Sequence, residues 1–202
     1  GEVLPVESRG KVVVAHLGSG ASLCAIQNGR SIATSMGLTA LDGIPMATRP
    51  GSVDPGLVLH LIKDRGMSAD EVSGMLYGKS GLLGLSGISG DVRKLLASDD
   101  PAASEALEVY AYRIAREIAS LAGALRGLDA LVFTGGVGEN SWHIRQSVCA
   151  QLCWLGADLD RAANEAGETF VQSPASCLRI LIIPADEEVI IAREALEILS
   201  VS

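Results

Sequence analysis

The chain lacks several patterns that mark particular classes of protein. No lysine- or arginine-rich block interrupts a sequence whose formal net charge is −8, which disfavours nucleic acid or an anionic membrane surface as the main partner. No apolar run approaches the roughly 18 residues that a membrane-spanning helix needs. Aromatic residues make up only 3% of the chain, whereas 48% of it is hydrophobic. We therefore expect a sizeable core built from Val, Ile, Leu and Ala.

The four cysteines also lack a pattern that would mark a metal site. They contain no CxxC pair and no Cys/His set at zinc spacing. Cys149 and Cys153 are four positions apart, on one face of a predicted helix, whereas Cys24 and Cys177 stand alone. We interpret all four as buried, reduced thiols, which is typical of a cytoplasmic protein.

The first part of the chain predicts three consecutive strands. Apolar and β-branched residues indicate strands at 11–16, 21–27 and 30–36, and Asn28-Gly29 supplies the positive φ angles of a hairpin turn. A loop follows at 37–56, with the sequence GLTALDGIPMATRPGSVDPG. Loops of this length in compact domains are usually functional or disordered.

Helices dominate the next part of the chain. Asp54 caps a predicted helix that has Pro55 at its first position. Ser68 and Glu71 predict a capping box for a second helix. The segment YGKSGLLGLSGISGD (77–91) is interpreted as a glycine-rich loop, and the longest helix is predicted at 101–127.

The last part of the chain alternates strands and helices. A strand at 130–133 leads through TGGVGEN into a helix predicted at 141–155, and a strand at 179–183 precedes a final helix with an apolar face. The order of strands and helices predicts an α/β domain with a mixed sheet and flanking helices.

Three glycine-rich segments suggest a site for an anion: HLGSG (16–20), LSGISGD (85–91) and TGGVGEN (134–140). Each is interpreted as a turn that follows a strand or opens a helix, where small residues expose backbone N–H groups that can bind phosphate. Any one of them could be a plain tight turn, but three favour a polyphosphate site. The chain has no GxxxxGK[ST] motif, no GxGxxG motif and no GxSxG elbow.

Five separated blocks together carry a resemblance to a known family. They are VVVAHLGSGASLCAIQNGRSIATSMGLTALDG, ATRPGSVDPG, GLSGISGDVR, VFTGGVGEN and IIPADEEVIIARE. In this order they closely resemble the acetate kinase family (acetate and propionate kinases). The resemblance implies a ribonuclease H-like α/β domain of the actin, sugar-kinase and heat-shock-chaperone ATPase superfamily. It covers only the family's C-terminal half, which implies that a phosphate loop, a substrate arginine and a catalytic aspartate lie upstream of Gly1.

The resemblance assigns roles to residues near the predicted strand ends. It implies that residues 16–20 form a hairpin against the β- and γ-phosphates, namely His16, Leu17, Gly18, Ser19 and Gly20. Ser19 replaces the family's usual Asn, and Pro50 replaces its usual Ser. Arg49 matches the arginine that stabilises the transition state, and we assign catalysis to Arg49 and His16.

The resemblance also assigns the nucleoside and metal contacts. Asp91, Val92 and Arg93 match the segment that holds ribose and base, with Asp91 accepting from ribose hydroxyls and Arg93 stacking on the base. The loop that closes over adenosine and the α-phosphate matches Gly136, Val137, Gly138, Glu139 and Asn140. Glu187 matches the ligand of Mg²⁺. His143 matches no catalytic position but follows the nucleotide loop and could touch the base.

The function implied is reversible phosphoryl transfer from ATP to acetate, giving ADP and acetyl phosphate, with Mg²⁺. Propionate or butyrate as the acceptor, and a nucleotide-binding module without catalysis, are the alternatives. Residues 1–187 would be the nucleotide-binding domain, and the helix at 188–202 would pack on the missing N-terminal domain. Without that domain the chain should be inactive, and the apolar face of the last helix should be displaced or covered by another chain. The resemblance further implies a cytoplasmic homodimer.

Overall fold

A computed structural model describes residues 10–186 of the chain. It contains one five-stranded sheet in the order β3-β2-β1-β4-β5. β1 pairs antiparallel with β2 and parallel with β4, so the sheet is mixed. The strands are β1 (Lys11–Leu17), β2 (Ala21–Gln27), β3 (Arg30–Thr34), β4 (Ala130–Thr134) and β5 (Arg179–Ile182). The α/β fold with a mixed sheet, expected from the order of elements, is confirmed.

Eight α-helices lie in the described part of the chain. A 3₁₀ turn at Cys153–Leu155 follows the seventh of them. The helices are α1 (Pro55–Lys63), α2 (Ala69–Gly78), α3 (Gly81–Ser86), α4 (Val92–Leu96), α5 (Pro101–Leu125), α6 (Gly135–Asn140), α7 (Trp142–Gln151) and α8 (Arg161–Ala166). Within residues 10–186, none of the helices combines the length and the apolar character needed to cross a membrane.

The core lies between the sheet and α5. Alternation along β1 directs Val13, Ala15 and Leu17 into this core, while Val12 belongs to a smaller apolar cluster on the opposite face. α5 presents its apolar side at intervals of three and four residues, and burying each large aliphatic side chain contributes about 1.5–3 kcal/mol. Its buried residues are Ala103, Ala106, Tyr110, Ala111, Ile114, Ala115, Ile118, Leu121, Ala122 and Leu125.

Local capping and turn predictions are confirmed. Asn28 and Gly29 have φ of 52° and 73° in the β2–β3 turn. The Asp54 side chain accepts a hydrogen bond from Gly56 N at the start of α1. Ser68 and Glu71 form both bonds of the capping box of α2. These features depend on residues close in sequence, which explains why the sequence predicted them.

Two glycine-rich segments differ from their interpretation as loops. Residues 81–86 form α3, so LSGISGD follows a helix and not a strand, and Gly87 ends that helix with φ 66°. Residues 135–140 form α6, a separate helix, and α7 begins only at Trp142. Glycine weakens a helix in isolation, but α3 and α6 are short and are held by tertiary contacts that propensity does not reveal.

The expectation that all four thiols are buried is wrong for three of them. Cys149 is buried, and burial raises the pKa of its thiol to about 12. Cys24 is partly buried, whereas Cys153 and Cys177 are exposed. The helix that was predicted to carry both Cys149 and Cys153 ends at Gln151, which places Cys153 in the following 3₁₀ turn.

Candidate functional site

The site forms where the carboxyl ends of β1 and β4 lie side by side. His16 is paired with Thr134 across these two parallel strands. After β1, residues 18–20 make a tight turn in which Gly18 N donates to Gly20 O at 3.0 Å. After β4, Gly135 has φ 78°, and a Cβ there would lie 2.8 Å from Leu17 O. Only glycine permits this close approach, so the two strand ends are pressed together.

Two adjoining clefts open over these strand ends. The larger has a volume of about 790 Å³ and the smaller about 490 Å³, and they share Gly18, Ser19 and Gly136. The three glycine-rich segments therefore meet at one place, as the sequence predicted. The smaller cleft is lined by His16, Gly18, Ser19, Gly20, Ala21, Ser22, Met36, Met46, Arg49 and Gly136.

The larger cleft runs from the β1 turn towards α4 and α7. It is lined by Gly18, Ser19, Ala47, Leu82, Gly90, Asp91, Val92, Arg93, Leu96, Gly136, Val137, Asn140, Ser141, Trp142 and His143. Of the predicted site residues, eleven line one or both clefts: His16, Gly18, Ser19, Gly20, Arg49, Asp91, Val92, Arg93, Gly136, Val137 and Asn140. Leu17, Gly138 and Glu139 line neither, and Glu187 lies outside the described residues.

Arg49 extends over the turn at the end of β1. Its Nη1 atom lies 3.8 Å from the position that a Cβ on Gly20 would take, and 3.5 Å from Ala40 O. Arg49 forms no ion pair with any residue in the range 10–186. A guanidinium beside a glycine turn, not neutralised by any carboxylate of the described residues, is suited to an anionic ligand.

The backbone of the arginine segment (residues 46–49) is docked on α3. A Cβ on Gly81 would lie 2.2 Å from Met46 O and 2.6 Å from Arg49 O, so the contact excludes any side chain. Ala47 N also donates to Ser19 O at 3.2 Å, which ties the segment to the β1 turn. Three amides around the start of α3 donate to the segment: Ser80 N to Thr48 O, Leu82 N to Met46 O and Leu83 N to Ala47 O, at 2.9, 2.9 and 3.0 Å.

Asp91 and Arg93 form a close pair at the edge of the larger cleft. Arg93 Nε and Nη2 donate to the two oxygens of the Asp91 carboxylate at 3.0 and 2.7 Å, and Arg93 N donates to Oδ1. The hydrogen bonds from Arg93 lower the pKa of Asp91 to about 2. Asp91 thus remains an anion and also caps α4. A ribose hydroxyl would have to share this carboxylate with Arg93.

The pH dependence of this pair can be predicted in sign. Because the pKa of Asp91 is lowered in the folded state, the stabilisation is fully present above about pH 4 and is lost as the pH falls towards 2. In a ¹³C NMR titration, the Asp91 carboxyl signal should stay constant between pH 5 and 3. In an Arg93→Met variant it should titrate within that range. A signal that titrates alike in both proteins would contradict the assignment.

Glu139 and Asn140 organise the backbone around α6. Glu139 Oε1 accepts from Gly135 N at 2.8 Å and from Ala185 N at 2.9 Å, so this carboxylate joins the start of α6 to the segment after β5. Asn140 Nδ2 donates to Gly136 O at 2.9 Å. The resemblance assigned Glu139 to the nucleotide, but one of its carboxylate oxygens accepts hydrogen bonds from the protein's own backbone.

A buried arginine that the sequence analysis missed donates hydrogen bonds to the backbone of α6. Arg145 is 1% exposed and donates from Nη1 to Gly138 O and Glu139 O at 2.9 and 2.8 Å. Its Nε and Nη2 donate to the side chain and backbone of Asn164, which is 0% exposed. Desolvation lowers the pKa of Arg145 to about 10. The spacing of Arg145 from Val148 and Cys149 on one helical face was the signal available in the sequence.

A magnesium site is not found in the described part of the chain. No group of three or more His, Cys, Asp or Glu side chains among residues 10–186 could hold a metal ion. The predicted ligand, Glu187, follows directly after the last described residue, Asp186. Magnesium binding by Glu187 therefore stays a prediction.

Comparison with known sequences gives one consistent result. Residues 4–193 match the Acetokinase family. An acetate kinase from Methylocella silvestris is 52% identical over 198 residues, which cover 98% of this chain and 49% of that protein. An acetate kinase from Rhodopseudomonas palustris is 57% identical over 186 residues, which cover 91% of this chain and 47% of that protein. The chain thus spans about half the length of the curated relatives it matches.

Solved structures agree with the sequence comparison. The crystal structure of Porphyromonas gingivalis acetate kinase matches with a TM-score of 0.92 and 36% identity, covering 98% of this chain and 51% of that one. A propionate kinase from Francisella tularensis matches with a TM-score of 0.89 and 41% identity, covering 96% of this chain and 51% of that one. These likenesses confirm the fold class that the resemblance implied. By its sequence and by its fold, the chain belongs to the Acetokinase family.

Proposed function

We propose that this chain is the nucleotide-binding half of a kinase that transfers the γ-phosphoryl group of ATP reversibly to acetate. The observation that carries the proposal is the meeting of three glycine-rich segments in adjoining clefts, with Arg49 and His16 in the smaller cleft. Turns with small residues let backbone amides approach a polyphosphate closely. If the nucleoside occupied the larger cleft, the transferring phosphate would lie in the smaller cleft, beside the guanidinium of Arg49.

The reaction needs no nucleophile from the protein. A carboxylate oxygen of acetate attacks the γ-phosphorus in line, a new P–O bond forms, and the bond to the β–γ bridging oxygen breaks as ADP leaves. Catalysis of such a transfer consists mainly of positioning and of stabilising the charge on the phosphoryl oxygens. Arg49 and His16 stabilise that charge, and the turn at residues 18–20 holds the β- and γ-phosphates.

The remaining cleft residues hold the nucleoside in this scheme. Asp91, Val92 and Arg93 lie beside the ribose and base, and Gly136, Val137 and Asn140 lie over the adenosine and α-phosphate. Leu17, Gly138 and Glu139 act through the backbone they support. Magnesium, when bound, would neutralise phosphate charge, and Glu187 is the ligand that we propose for it.

The choice of carboxylate is a separate question. The 41% identity to a propionate kinase keeps propionate as a second candidate acceptor, and butyrate is a third. Comparison of kcat/KM for acetate, propionate and butyrate in the intact enzyme distinguishes the three. A nucleotide-binding module without catalysis is a further alternative, which formation of acetyl phosphate by the intact protein would exclude.

The assembly of the intact enzyme follows from the same proposal. In this proposal residues 1–187 belong to the nucleotide-binding domain, and the helix predicted from the sequence at 188–202 would pack on the other half of the protein. That helix, its apolar face and its predicted displacement lie outside the described residues. We propose that the chain alone is inactive, and that the intact protein is a cytoplasmic homodimer.

Calorimetric titration of this chain with ADP tests the proposal. One ADP should bind per chain. Gly136→Leu should abolish that binding, because Gly136 lines both clefts and a Cβ there meets no atom within 4 Å, so the new side chain enters the clefts without disturbing the fold. Gly74→Ala, on α2, is the matched control and should bind ADP normally. Absence of binding at millimolar ADP, or full binding by Gly136→Leu, would refute the proposal.

A further inference from the structure

Two aromatic side chains at the far end of the larger cleft have no role in the scheme above. The rings of Trp142 and His143 are stacked, with centroids 3.5 Å apart and planes inclined by 24°. Both residues line the larger cleft, and neither lines the smaller cleft that contains Arg49.

The backbone that carries the two rings is held by buried hydrogen bonds of Asn164 and Arg145. Asn164 Nδ2 donates to Trp142 O at 3.1 Å, and Asn164 is itself held by the guanidinium of Arg145. The same guanidinium donates to the last carbonyls of α6, whose Gly136 and Val137 line the cleft. One buried cation therefore holds both α6 and, through Asn164, the backbone that carries the rings.

The chemistry of the cleft changes along its length. Gly18 and Ser19 line the cleft at the β1 turn, whereas Val92, Leu96, Trp142 and His143 line it beside α4 and α7, together with the ion pair of Asp91 and Arg93. Beside the rings, the buried Ser141 Oγ has no hydrogen-bond partner among the described residues, which is rare for a buried hydroxyl. A turn of small residues at one end, and aromatic rings beside an ion pair at the other, match a phosphate chain that ends in a nucleoside.

We propose that Trp142, supported by His143, is the residue that holds the nucleobase, by stacking of its indole ring. This inference rests on the proposed function and adds to it the residue that recognises the base. Stacking on an aromatic ring requires only the π-face of the base, and each stacked base contributes enough to change affinity by about one to two orders of magnitude. Trp142 then determines affinity for the base, a role that sequence motifs for phosphate binding do not reveal.

The test compares a ligand that has a base with one that has none. ADP and inorganic tripolyphosphate are titrated calorimetrically into the chain and into its Trp142→Ala, Trp142→Phe and His143→Ala variants, with Mg²⁺ present. Trp142→Ala should weaken ADP about ten- to a hundredfold and leave tripolyphosphate unchanged. Trp142→Phe should restore most of the affinity, and His143→Ala should give a smaller loss than Trp142→Ala.

The second tryptophan provides an internal control. Trp154 is 69% exposed and does not line the cleft, so Trp154→Phe should bind ADP normally while leaving Trp142 as the sole tryptophan. In that variant, ADP should quench the fluorescence and tripolyphosphate should not.

Three results would overturn the inference. Unchanged ADP affinity in Trp142→Ala, or equal weakening of both ligands, would show that Trp142 does not hold the base. Failure of the unmodified chain to bind either ligand would refute the proposed function, and this inference with it.

Discussion

Replacing Arg49 with alanine should lower the turnover of the intact kinase about 10³–10⁵-fold, while ATP still binds. The guanidinium lies over the β1 turn, 3.8 Å from the Cβ position of Gly20, and no residue within 10–186 forms an ion pair with it. Its charge is therefore available to the phosphoryl oxygens, whose charge is rearranged most in the transition state. The measurement is kcat for acetyl phosphate formation, with ATP binding measured separately by calorimetry.

Two further variants make this result specific. Arg49→Lys should recover only part of the activity, because an ammonium group cannot reproduce the planar fork of a guanidinium. Arg30→Ala, which removes an exposed arginine at the start of β3, should retain full activity. Turnover that survives in Arg49→Ala would remove Arg49 from the mechanism.

Gly81→Ala should affect both stability and turnover. Gly81 has φ 59°, which costs a residue with a side chain about 1–2 kcal/mol. Its Cβ would also lie 2.2 Å from Met46 O, and relieving such crowding typically costs a further 1–3 kcal/mol or so. We expect a loss of about 2–5 kcal/mol in the free energy of unfolding, measured on this chain with urea.

The same variant should slow the intact kinase about a hundredfold, because the displaced backbone carries Arg49 and a shift of about 1 Å is enough for such a loss. Gly74→Ala is the matched control. A Cβ on Gly74 meets no atom within 4 Å, and alanine in the interior of a helix is favoured by about 0.5–1 kcal/mol over glycine. Gly81→Ala with normal stability and turnover would show that the contact of residues 46–49 with α3 does not position Arg49.

The sequence predicted features that depend on neighbouring residues. The hairpin turn at Asn28-Gly29, the cap of Asp54 and the capping box of Ser68 all involve atoms within three positions of each other. The small residues at the end of β1 predicted the turn at 18–20 for the same reason, whereas the segment after β4 forms α6 and not the predicted turn. The meeting of these segments in one cleft followed from the parallel pairing of β1 with β4.

The features that the sequence did not predict depend on contacts between distant residues. Residues 81–86 are rich in glycine, yet they form α3 because the arginine segment, more than thirty positions earlier, accepts hydrogen bonds from its first amides. Arg145 resembles a surface residue until Asn164 and the end of α6 are placed around it. No local rule connects Trp142 with the cleft, because its position depends on the same network.

The buried guanidinium of Arg145 has a consequence for how a polyanion is attracted to a chain whose net charge is −8. Dissolved ions screen exposed charges over about 8 Å at physiological ionic strength, but they cannot surround a group that is 1% exposed. With its pKa near 10, this group stays protonated at neutral pH. The positive potential that it adds behind α6 should therefore persist in concentrated salt, where long-range repulsion by the acidic surface disappears.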